Sequence, residues 1–470
     1  MALNAQSHSW VSGKFWAATG ATSAAPRTAP KASFSVRFIL DSSLSCDGGG
    51  VFPRPLPSFR SFLRARATVR PTADSCALRR TLLHFGSWCR KKHGVGGPGE
   101  GFSGTEVPPE YNSAVPPTPA LLGLDRAELA EALSSADRPA LRARQLARWL
   151  YAGETDFEKM SDLPADVREA LGERYVASGL VETRRVESED GVVKVLAHGG
   201  DEESFECVLL PYADRVSCCL STQVGCPMGC AFCATGLGGF DRNLSAGEIL
   251  GQYFLLQSIS PRRISHVVYM GMGEPLLNYP EVVKSIRLFK QEVGLSPRHI
   301  TVSTVGIVPR IRELAQENLP IHLAISLHST KDEIRNSLMP VNQKWPISEV
   351  LSAAKEYVNA TGRKVTFEYL LIEGVTDTID QAEDLATMVR GFPSLVNLIP
   401  FNYVSTGQGF KRPAPSRITQ FRRTLESLGV NVTQRRERGH RIAAACGQLA
   451  GVHGGRFARR RSPSDLSVLS

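Results

Sequence analysis

The sequence predicts an α/β fold in which a parallel barrel, or part of one, follows a small helical domain. Short apolar runs alternate with helical patterns from Val216 onward, which is typical of consecutive βα units. The preceding segment, Leu121–Tyr175, is helical in pattern. In a parallel barrel the chemistry lies at the carboxyl ends of the strands, so we expect the functional site there. The predicted strands are Val216–Ser221, His266–Met270, His299–Thr304, Ile321–Ser326, Val365–Leu371, Val396–Pro400 and Val430–Gln434.

The first 100 residues differ in composition from the rest of the chain. They hold 14 Lys and Arg but only 4 Asp and Glu, which accounts for the whole formal net charge of +9. The isoelectric point therefore does not by itself indicate a nucleic-acid surface in the body. This leader is rich in Ser, Ala and Arg and lacks the continuous apolar stretch of about 7–15 residues that a secretory signal needs. We interpret it as an organellar transit peptide, for a chloroplast rather than a mitochondrion. The alternatives are a disordered extension and a mispredicted gene start.

Two segments precede the predicted barrel. Leucines recur at helical spacing from Leu129 to Leu150, and Pro139 marks a boundary between short helices. Over Glu182–Pro211 the apolar period changes to two, which predicts strands or hairpins. Four arginines of the helical segment either contact nucleic acid or form a solvated surface, namely Arg138, Arg142, Arg144 and Arg148.

Helices are predicted between the later strands. The sequence predicts no membrane-spanning segment. Ser245 and Glu248 form a capping box at the start of the helix Ser245–Ser258. Apolar residues at helical spacing predict two others, Ser348–Ala360 and Ser416–Leu428. The chain has no uncharged apolar run of about 18 residues, the length that a membrane span requires.

Six of the ten cysteines lie within 27 residues. Cys226, Cys230 and Cys233 have the spacing C-x3-C-x2-C directly after a predicted strand. Three thiolates on one tight loop can hold three irons of a [4Fe–4S] cluster and leave the fourth iron open to an exchangeable ligand. The alternatives are a coincidental group of buried cysteines and a zinc site with a distant fourth ligand.

A glycine-rich segment, Met270–Pro275, follows the next predicted strand and lets the backbone approach a ligand closely. Together with the cysteine loop it resembles the radical S-adenosylmethionine enzymes, and Phe232 could pack against an adenine. Further motifs make the region from about Leu121 to about Gly451 similar to the RlmN/Cfr family of RNA adenine methyltransferases. They are Cys219–Cys226 (CLSTQVGC), Gly236–Leu244 (GLGGFDRNL), Gly271–Asn278 (GMGEPLLN), Ser303-Thr304, Ser326–His328, Asn397–Asn402 (NLIPFN) and Ala444–Gly451 (AACGQLAG).

The resemblance implies a partial (β/α)6 barrel with a small N-terminal helical accessory domain that binds RNA. The implied organisation is a leader at 1–100, a linker at 101–119, the accessory domain at 120–180, a radical S-adenosylmethionine core at 186–450 and a disordered basic tail at 451–470. It also implies one [4Fe–4S] cluster on Cys226, Cys230 and Cys233 and two S-adenosylmethionine molecules per turnover. The implied cofactor contacts are Gly273, Glu274, Ser303, Ser326, Leu327, His328 and Asn402.

The same resemblance implies the reaction. A methyl group moves first to the Cys446 thiolate, and a radical derived from a second cofactor then activates that S-methyl group to add to C2 of an adenine. Cys219 would resolve the resulting thioether through a transient disulfide with Cys446, and Glu206 would be the proton acceptor. A surface glutamate is the plainer interpretation of Glu206. Cys207 and Cys218 are predicted to be packing residues.

The implied substrate is large-subunit ribosomal RNA, with transfer RNA as a second one. The expected electron donor is a ferredoxin or flavodoxin, and the chain is expected to act as a monomer without a membrane. Methylation at C8, as in the Cfr branch, is one alternative, and a cluster-bearing ribosome-assembly factor without methyl transfer is another. One departure from the family pattern is the basic pair His440-Arg441, which either strengthens phosphate contact or changes the position of the Cys446 loop.

Overall fold

The computed structural model describes residues 118–200, 203–404, 408–435 and 438–450. The predicted leader at 1–100 and tail at 451–470 lie outside the described residues, as does nearly all of the linker at 101–119. Within the described part of the chain no helix is both long and apolar enough to span a bilayer.

Three short helices form the N-terminal part of this structure. Asp125 caps the first helix through a capping box with Glu128. Pro139 occupies the first turn of the second helix, at the boundary that the sequence predicts. Of the four arginines noted above, Arg142 donates a hydrogen bond to Gln145 and Arg148 forms an ion pair with Asp162. The helices are α1 Arg126–Ala132, α2 Pro139–Leu150 and α3 Ala165–Arg174.

A ten-stranded mixed sheet forms the centre of the molecule. Its strand order is β1-β2-β3-β4-β7-β8-β9-β10-β11-β12, antiparallel from β1 to β4 and parallel from β4 to β12. Its strands are β1 Val181–Glu187, β2 Val193–His198, β3 Ser204–Pro211, β4 Val216–Cys219, β7 His266–Tyr269, β8 Ile300–Thr304, β9 His322–Ser326, β10 Val365–Leu371, β11 Ser394–Pro400 and β12 Val432–Gln434. A separate two-stranded sheet pairs β5 Gln223–Gly225 with β6 Phe240–Asn243.

Helices connect the parallel strands. The predicted capping box is present. The Ser245 side chain accepts the Glu248 amide, and the Glu248 side chain accepts the Ser245 amide. The helices are α4 Ala234–Gly238, α5 Ala246–Ile259, α6 Tyr279–Leu288, α7 Val308–Leu314, α8 Asp332–Leu338, α9 Ile347–Thr361, α10 Ile379–Val389 and α11 Pro415–Ser427. All seven predicted strands and all three predicted core helices are present with ends shifted by at most two residues.

The parallel strands form the predicted partial barrel. Among the described strands the sheet ends at β1 on one side and β12 on the other, so the arc is open. Their apolar side chains are almost entirely buried, as in Val267, Val302, Leu323, Phe367 and Leu398. Since both faces of such strands are covered, their sequences are nearly continuous apolar runs. The sheet thereby presents its carboxyl ends, rather than its faces, to ligands.

Histidines lie at the opposite, amino ends of β7, β8 and β9. The rings of His266 and His299 stack with centroids 4.5 Å apart. Burial lowers the pKa of His266 below its ordinary value, and His299 and Arg215 lower it further. Burial and the nearby Arg363 do the same to His322. The neutral forms of His266 and His322 are therefore favoured in the folded protein.

We expect these histidines to make the fold less stable in mild acid. Because their folded-state pKa values lie below the unfolded ones, the unfolded chain binds more protons, and stability is lost as pH falls through about 6.5. Urea unfolding at about pH 7.5 and about pH 5.5 should show the lower midpoint in acid. In the double variant His266→Gln/His322→Gln this pH difference should shrink, and an unchanged difference would contradict the assignment.

Candidate functional site

The predicted cluster loop lies between β5 and α4. The Cys226 amide donates to the Gly239 carbonyl at 2.6 Å, and the Ala231 amide donates to the Leu338 carbonyl at 2.9 Å. Gly225 has φ +75°, and a Cβ there would lie 2.1 Å from the Gly239 carbonyl oxygen, so this turn requires glycine. These contacts hold the loop against two other segments before any ligand binds.

The three thiols of this loop line one cavity, which we call the main cavity. Burial raises the pKa of Cys226, Cys230 and Cys233, and their mutual proximity raises the pKa of Cys226 and Cys230 further. Metal binding must therefore displace protons from them. Among the described residues no three His, Cys, Asp or Glu side chains are arranged to hold a single metal ion. A [4Fe–4S] cluster requires a different arrangement, because each thiolate binds a different iron. Three thiols on one loop can supply these three ligands.

The glycine-rich segment forms the next wall of the main cavity. Gly273 has φ +98°, and a Cβ there would lie 2.6 Å from the Gln223 Cβ. Glu274 is only 2% exposed, and its Oε2 accepts the Val305 amide at 2.8 Å. Burial raises its pKa to about 7, although the Val305 and Leu276 amides act in the opposite direction. A buried carboxyl group with few charged neighbours is suited to bind an ammonium group of a ligand.

His328 also lines the main cavity and is neutral. Its Nδ1 accepts the Leu370 amide at 3.1 Å, so the ring proton is on Nε2. Burial lowers its pKa to about 3, and the nearby Arg335 lowers it further. The Phe232 ring meets the imidazole edge-on, with centroids 5.0 Å apart. His328 can therefore serve as a hydrogen-bond donor but not as a cation near neutral pH.

Arg335 is a buried residue of the site that the sequence analysis missed. It is 0% exposed, and it donates to the carbonyls of Leu327, Ser326 and Val305 at 2.9, 3.0 and 2.7 Å. It thus ties the ends of β8 and β9 together through Val305 and Ser326, which line the main cavity. An arginine in the short helix α8 looks like a surface residue in the sequence, so only the fold reveals its role.

The structure brings most of the predicted cofactor contacts together. Leu327 is the exception among them, because its side chain is fully buried and does not line the main cavity. Its backbone carbonyl instead accepts Arg335. The residues that share the wall with the three cysteines are Gly273, Glu274, Ser303, Ser326, His328 and Asn402.

Cys446 joins the main cavity to a smaller one beside it, which we call the side cavity. Cys446, Arg435 and Asn402 line both, whereas Cys219 lines the side cavity. The Asn402 side chain donates from Nδ2 to the Cys446 carbonyl at 3.1 Å. The backbone amide of Ala234 donates to the Gly447 carbonyl at 2.8 Å. The C-terminal loop is therefore anchored both to the end of β11 and to the cysteine loop.

The charge environment of the two thiols is set by Arg435. Burial raises the pKa of Cys219 to about 12, and Cys446 raises it further while Arg435 opposes both. Conversely, the proximity of Cys446 raises the pKa of Arg435 despite its burial. Cys219 is thus a protonated thiol in this conformation, and Arg435 is the cation that stabilises any thiolate formed there. Cys207 and Cys218 are fully buried and line neither cavity, consistent with packing.

Glu206 lies on β3 and lines neither cavity. It contacts the C-terminal loop instead. Its Oε1 lies 2.8 Å from the Lys194 Nζ, and its Oε2 accepts the Ala450 amide at 2.8 Å. Lys194 also donates to the Ala443 carbonyl at 3.2 Å. This ion pair therefore holds both ends of the loop that carries Cys446.

The unusual basic pair lies where the same loop meets the β1–β2 turn. Asp190 accepts the Gly439 amide at 3.2 Å and faces the Arg438 guanidinium at 3.4 Å. Arg441 pairs with Glu189 at 2.5 Å in an exposed contact, which is worth little. Arg438, Gly439 and Arg441 thus contact Glu189 and Asp190, which ties the start of this loop to the β1–β2 turn.

Comparisons with known proteins agree with this geometry. A model of the radical SAM superfamily matches residues 220–387, and a model of the ribosomal RNA large subunit methyltransferase N-terminal domain matches residues 120–176. A protein of Symbiobacterium thermophilum named "Probable dual-specificity RNA methyltransferase RlmN" is 47% identical over 335 residues, which cover 70% of this chain and 90% of that protein. The chain belongs to the RlmN family. An RlmN relative from Thermosynechococcus vestitus is 44% identical over 70% of this chain and 97% of its own length.

A solved structure extends the RlmN likeness to the fold. The crystal structure of a radical SAM methyltransferase from Sphaerobacter thermophilus is 43% identical, with a TM-score of 0.68, and the match covers 70% of this chain and 99% of that one. Membership of the radical SAM superfamily implies a [4Fe–4S] cluster and S-adenosylmethionine as cofactors.

In this RlmN family member, Lys194→Met should loosen the Cys446 loop. The substitution removes the ammonium group that pairs with Glu206, at a site where the two side chains are only 15% and 11% exposed. We expect a loss of about 2 kcal/mol in the free energy of unfolding and faster amide hydrogen exchange over 443–450. Lys194→Arg is the matched control and should retain most of the protection. Unchanged exchange in Lys194→Met would show that the pair does not hold the loop.

Proposed function

We propose that this chain is a radical S-adenosylmethionine methyltransferase that methylates C2 of adenine in 23S-type large-subunit ribosomal RNA, with transfer RNA as a second substrate. One observation carries the proposal: Cys446 lines the same cavity as the three cysteines of the C-x3-C-x2-C loop, and Cys219 lies in the adjoining side cavity. The names of the relatives, dual-specificity RNA methyltransferases, support RNA as the substrate.

Each wall of the main cavity has a part in binding the cofactors. Cys226, Cys230 and Cys233 are the residues to hold the [4Fe–4S] cluster, which supplies one-electron cleavage of S-adenosylmethionine to a carbon radical. The Glu274 carboxylate accepts a hydrogen bond from the ammonium group of the cofactor. This positive charge favours the ionised form of Glu274 and opposes the effect of burial. His328 offers its Nε2 proton as a hydrogen-bond donor.

The chemistry of the target explains why a cysteine must carry the methyl group. Carbon C2 of adenine is electrophilic and has no lone pair to attack a sulfonium methyl group, whereas a thiolate can do so. Cys446 therefore accepts a methyl group first, and Arg435 stabilises the attacking thiolate. A carbon radical formed on that S-methyl group can then add to the ring. The adduct becomes aromatic again when it gives up its C2 proton to a base and one electron to an acceptor, and the oxidised cluster held by Cys226, Cys230 and Cys233 would serve as that acceptor.

The last steps release the RNA. Attack of the Cys219 thiolate on the Cys446 sulfur forms a disulfide and breaks the sulfur–carbon bond, and the carbon takes the electron pair and a proton to become the methyl group. Glu206 is the proposed acceptor of the ring proton. In this conformation Glu206 pairs with Lys194 and accepts a hydrogen bond from the Ala450 amide. The Cys446 loop must therefore move before Glu206 reaches the adenine. The disulfide needs two electrons from an external reductant before the next turnover.

An assay of the product distinguishes this proposal from its alternatives. The full chain, with its cluster rebuilt without oxygen, is incubated with S-adenosylmethionine, a reductant and unmodified transcripts of large-subunit and transfer RNA. Liquid chromatography against standards of the two isomers, followed by mass spectrometry, should detect 2-methyladenosine. A product that is only 8-methyladenosine would indicate the Cfr-type reaction. A complete lack of methylated adenosine would favour the assembly-factor alternative.

We further propose that residues 1–100 direct the chain to the chloroplast, where a ferredoxin or flavodoxin supplies electrons and the chain acts as a monomer. The basic, acid-poor composition of this segment supports the proposal. A fluorescent protein fused behind residues 1–100 should colocalise with chlorophyll. Mitochondrial fluorescence would establish the alternative organelle, and diffuse fluorescence would contradict the targeting role.

A further inference from the structure

Tyr403 is an exposed aromatic residue beside the site. Its exposed fraction is 71%, the highest among the large hydrophobic side chains of the described residues. It directly follows Asn402, which lines both the main and the side cavity. An aromatic ring this exposed contributes little to the core, and it lies one residue from the lining of both cavities.

The backbone of Tyr403 is fixed to the loop that carries Cys446. Its carbonyl accepts the Gln448 Nε2 at 2.9 Å, while the Gln448 Oε1 accepts the Ala445 amide at 3.1 Å. The neighbouring Asn402 donates to the Cys446 carbonyl at 3.1 Å. Tyr403 is thus held next to the methyl-carrying residue, with its side chain in solvent.

A cation accompanies this aromatic residue. The Arg412 Nε donates to the Phe401 carbonyl at 2.8 Å, and its Nη2 donates to the Asn402 Oδ1 at 3.3 Å. The Phe401 and Phe410 rings meet edge-on with centroids 6.0 Å apart, which joins the two segments. The Arg412 guanidinium thus contacts the two residues that precede Tyr403. An exposed aromatic ring with a cation close to it along the backbone is a combination that binds single-stranded RNA, because the ring stacks on a base and the cation meets a phosphate.

We propose that the Tyr403 ring stacks on the base next to the target adenine, with Arg412 at the adjoining phosphate. An enzyme that modifies a ring carbon must take its base out of the stack, and the neighbouring base then loses its stacking partner. Tyr403 replaces that partner, one residue from Asn402 in the lining of the main cavity. This inference rests on the proposed function, because it assumes an RNA adenine as the substrate.

The first test compares Tyr403→Ala with Tyr403→Phe. The probe is a synthetic RNA stem–loop that contains the adenine methylated by the wild-type chain. We expect Tyr403→Ala to bind it about 10- to 100-fold more weakly and Tyr403→Phe to bind it like the wild type. Methylation of Cys446 in the absence of RNA should be the same in all three proteins, because that step needs no RNA. Equal RNA affinity in Tyr403→Ala and the wild type would overturn the inference.

The second test identifies the contact itself. Two probes carry an abasic nucleotide on the 5′ or the 3′ side of the target adenine. One of them should weaken binding to the wild type and have little further effect on Tyr403→Ala, since the ring and the base contribute one shared interaction. If both abasic changes weaken the two proteins equally, Tyr403 does not stack on a neighbouring base. Failure of the wild type to methylate Cys446 or any RNA would instead refute the proposed function.

Discussion

Cys446→Ala should abolish RNA methylation while leaving the cluster loop intact. The rate should fall by at least about 10⁴-fold, as when a nucleophile is removed from other enzymes. Without the thiol no methyl group can be carried to C2, but the walls that bind the cofactor are unchanged. Reductive formation of 5′-deoxyadenosine should therefore continue, uncoupled from methyl transfer. Chromatography of this product alongside RNA nucleosides measures both activities in one reaction.

A matched control for this variant is Cys207→Ala. Cys207 is a fully buried thiol on β3 that lines neither cavity. Its replacement removes a cysteine without touching the methyl-carrying loop, so RNA methylation should persist. Methylation by Cys446→Ala at a rate near that of the control would eliminate the covalent route.

Cys219→Ala has the second-largest expected effect, and it differs in kind. The methyl group would still reach Cys446 and add to the base, but no thiol in the side cavity could release the product. We expect a covalent complex of RNA with protein, at most one RNA per chain, and less than one turnover. A band of reduced mobility on a denaturing gel, removed by ribonuclease, would measure it.

The neighbouring Cys218 provides the control for that experiment. Adjacent residues of a strand face opposite sides of the sheet, and Cys218 is buried away from the side cavity. Cys218→Ala should therefore complete many turnovers without accumulating the complex. Multiple turnovers by Cys219→Ala without a covalent species would contradict the resolving role.

The elements that the sequence predicts well are those whose pattern is local. Strands such as Val365–Leu371 are short apolar runs between turn residues, and the capping box at Ser245 marks a helix start directly. The helix α8 is different. It is only seven residues long and Arg335 is buried, so it has no clear apolar face. Its position depends on the carbonyls of β8 and β9, which no local pattern contains.

The site shows the same division. The cysteine spacing and the glycine-rich segment are sequence signals in themselves. Lys194 and Arg435, in contrast, look like ordinary surface cations until the fold places one against Glu206 and the other beside Cys446 and Cys219. Tyr403 likewise gains its meaning only from its contact with Gln448. Tyr403 and Gln448 are 45 residues apart in the chain, and such a contact cannot be inferred from spacing. Lys194 and Glu206 are close in the sequence, but only the pairing of β2 with β3 places their side chains together.

The central claim is that Cys446 carries the methyl group, and the mass of its peptide tests this most directly. The full chain is purified without oxygen, its cluster is rebuilt, and S-adenosylmethionine with a deuterated methyl group is added. Peptide mass spectrometry should then show one labelled methyl group on Cys446. An unlabelled Cys446 in a protein with an intact cluster would contradict the methyl-carrier mechanism.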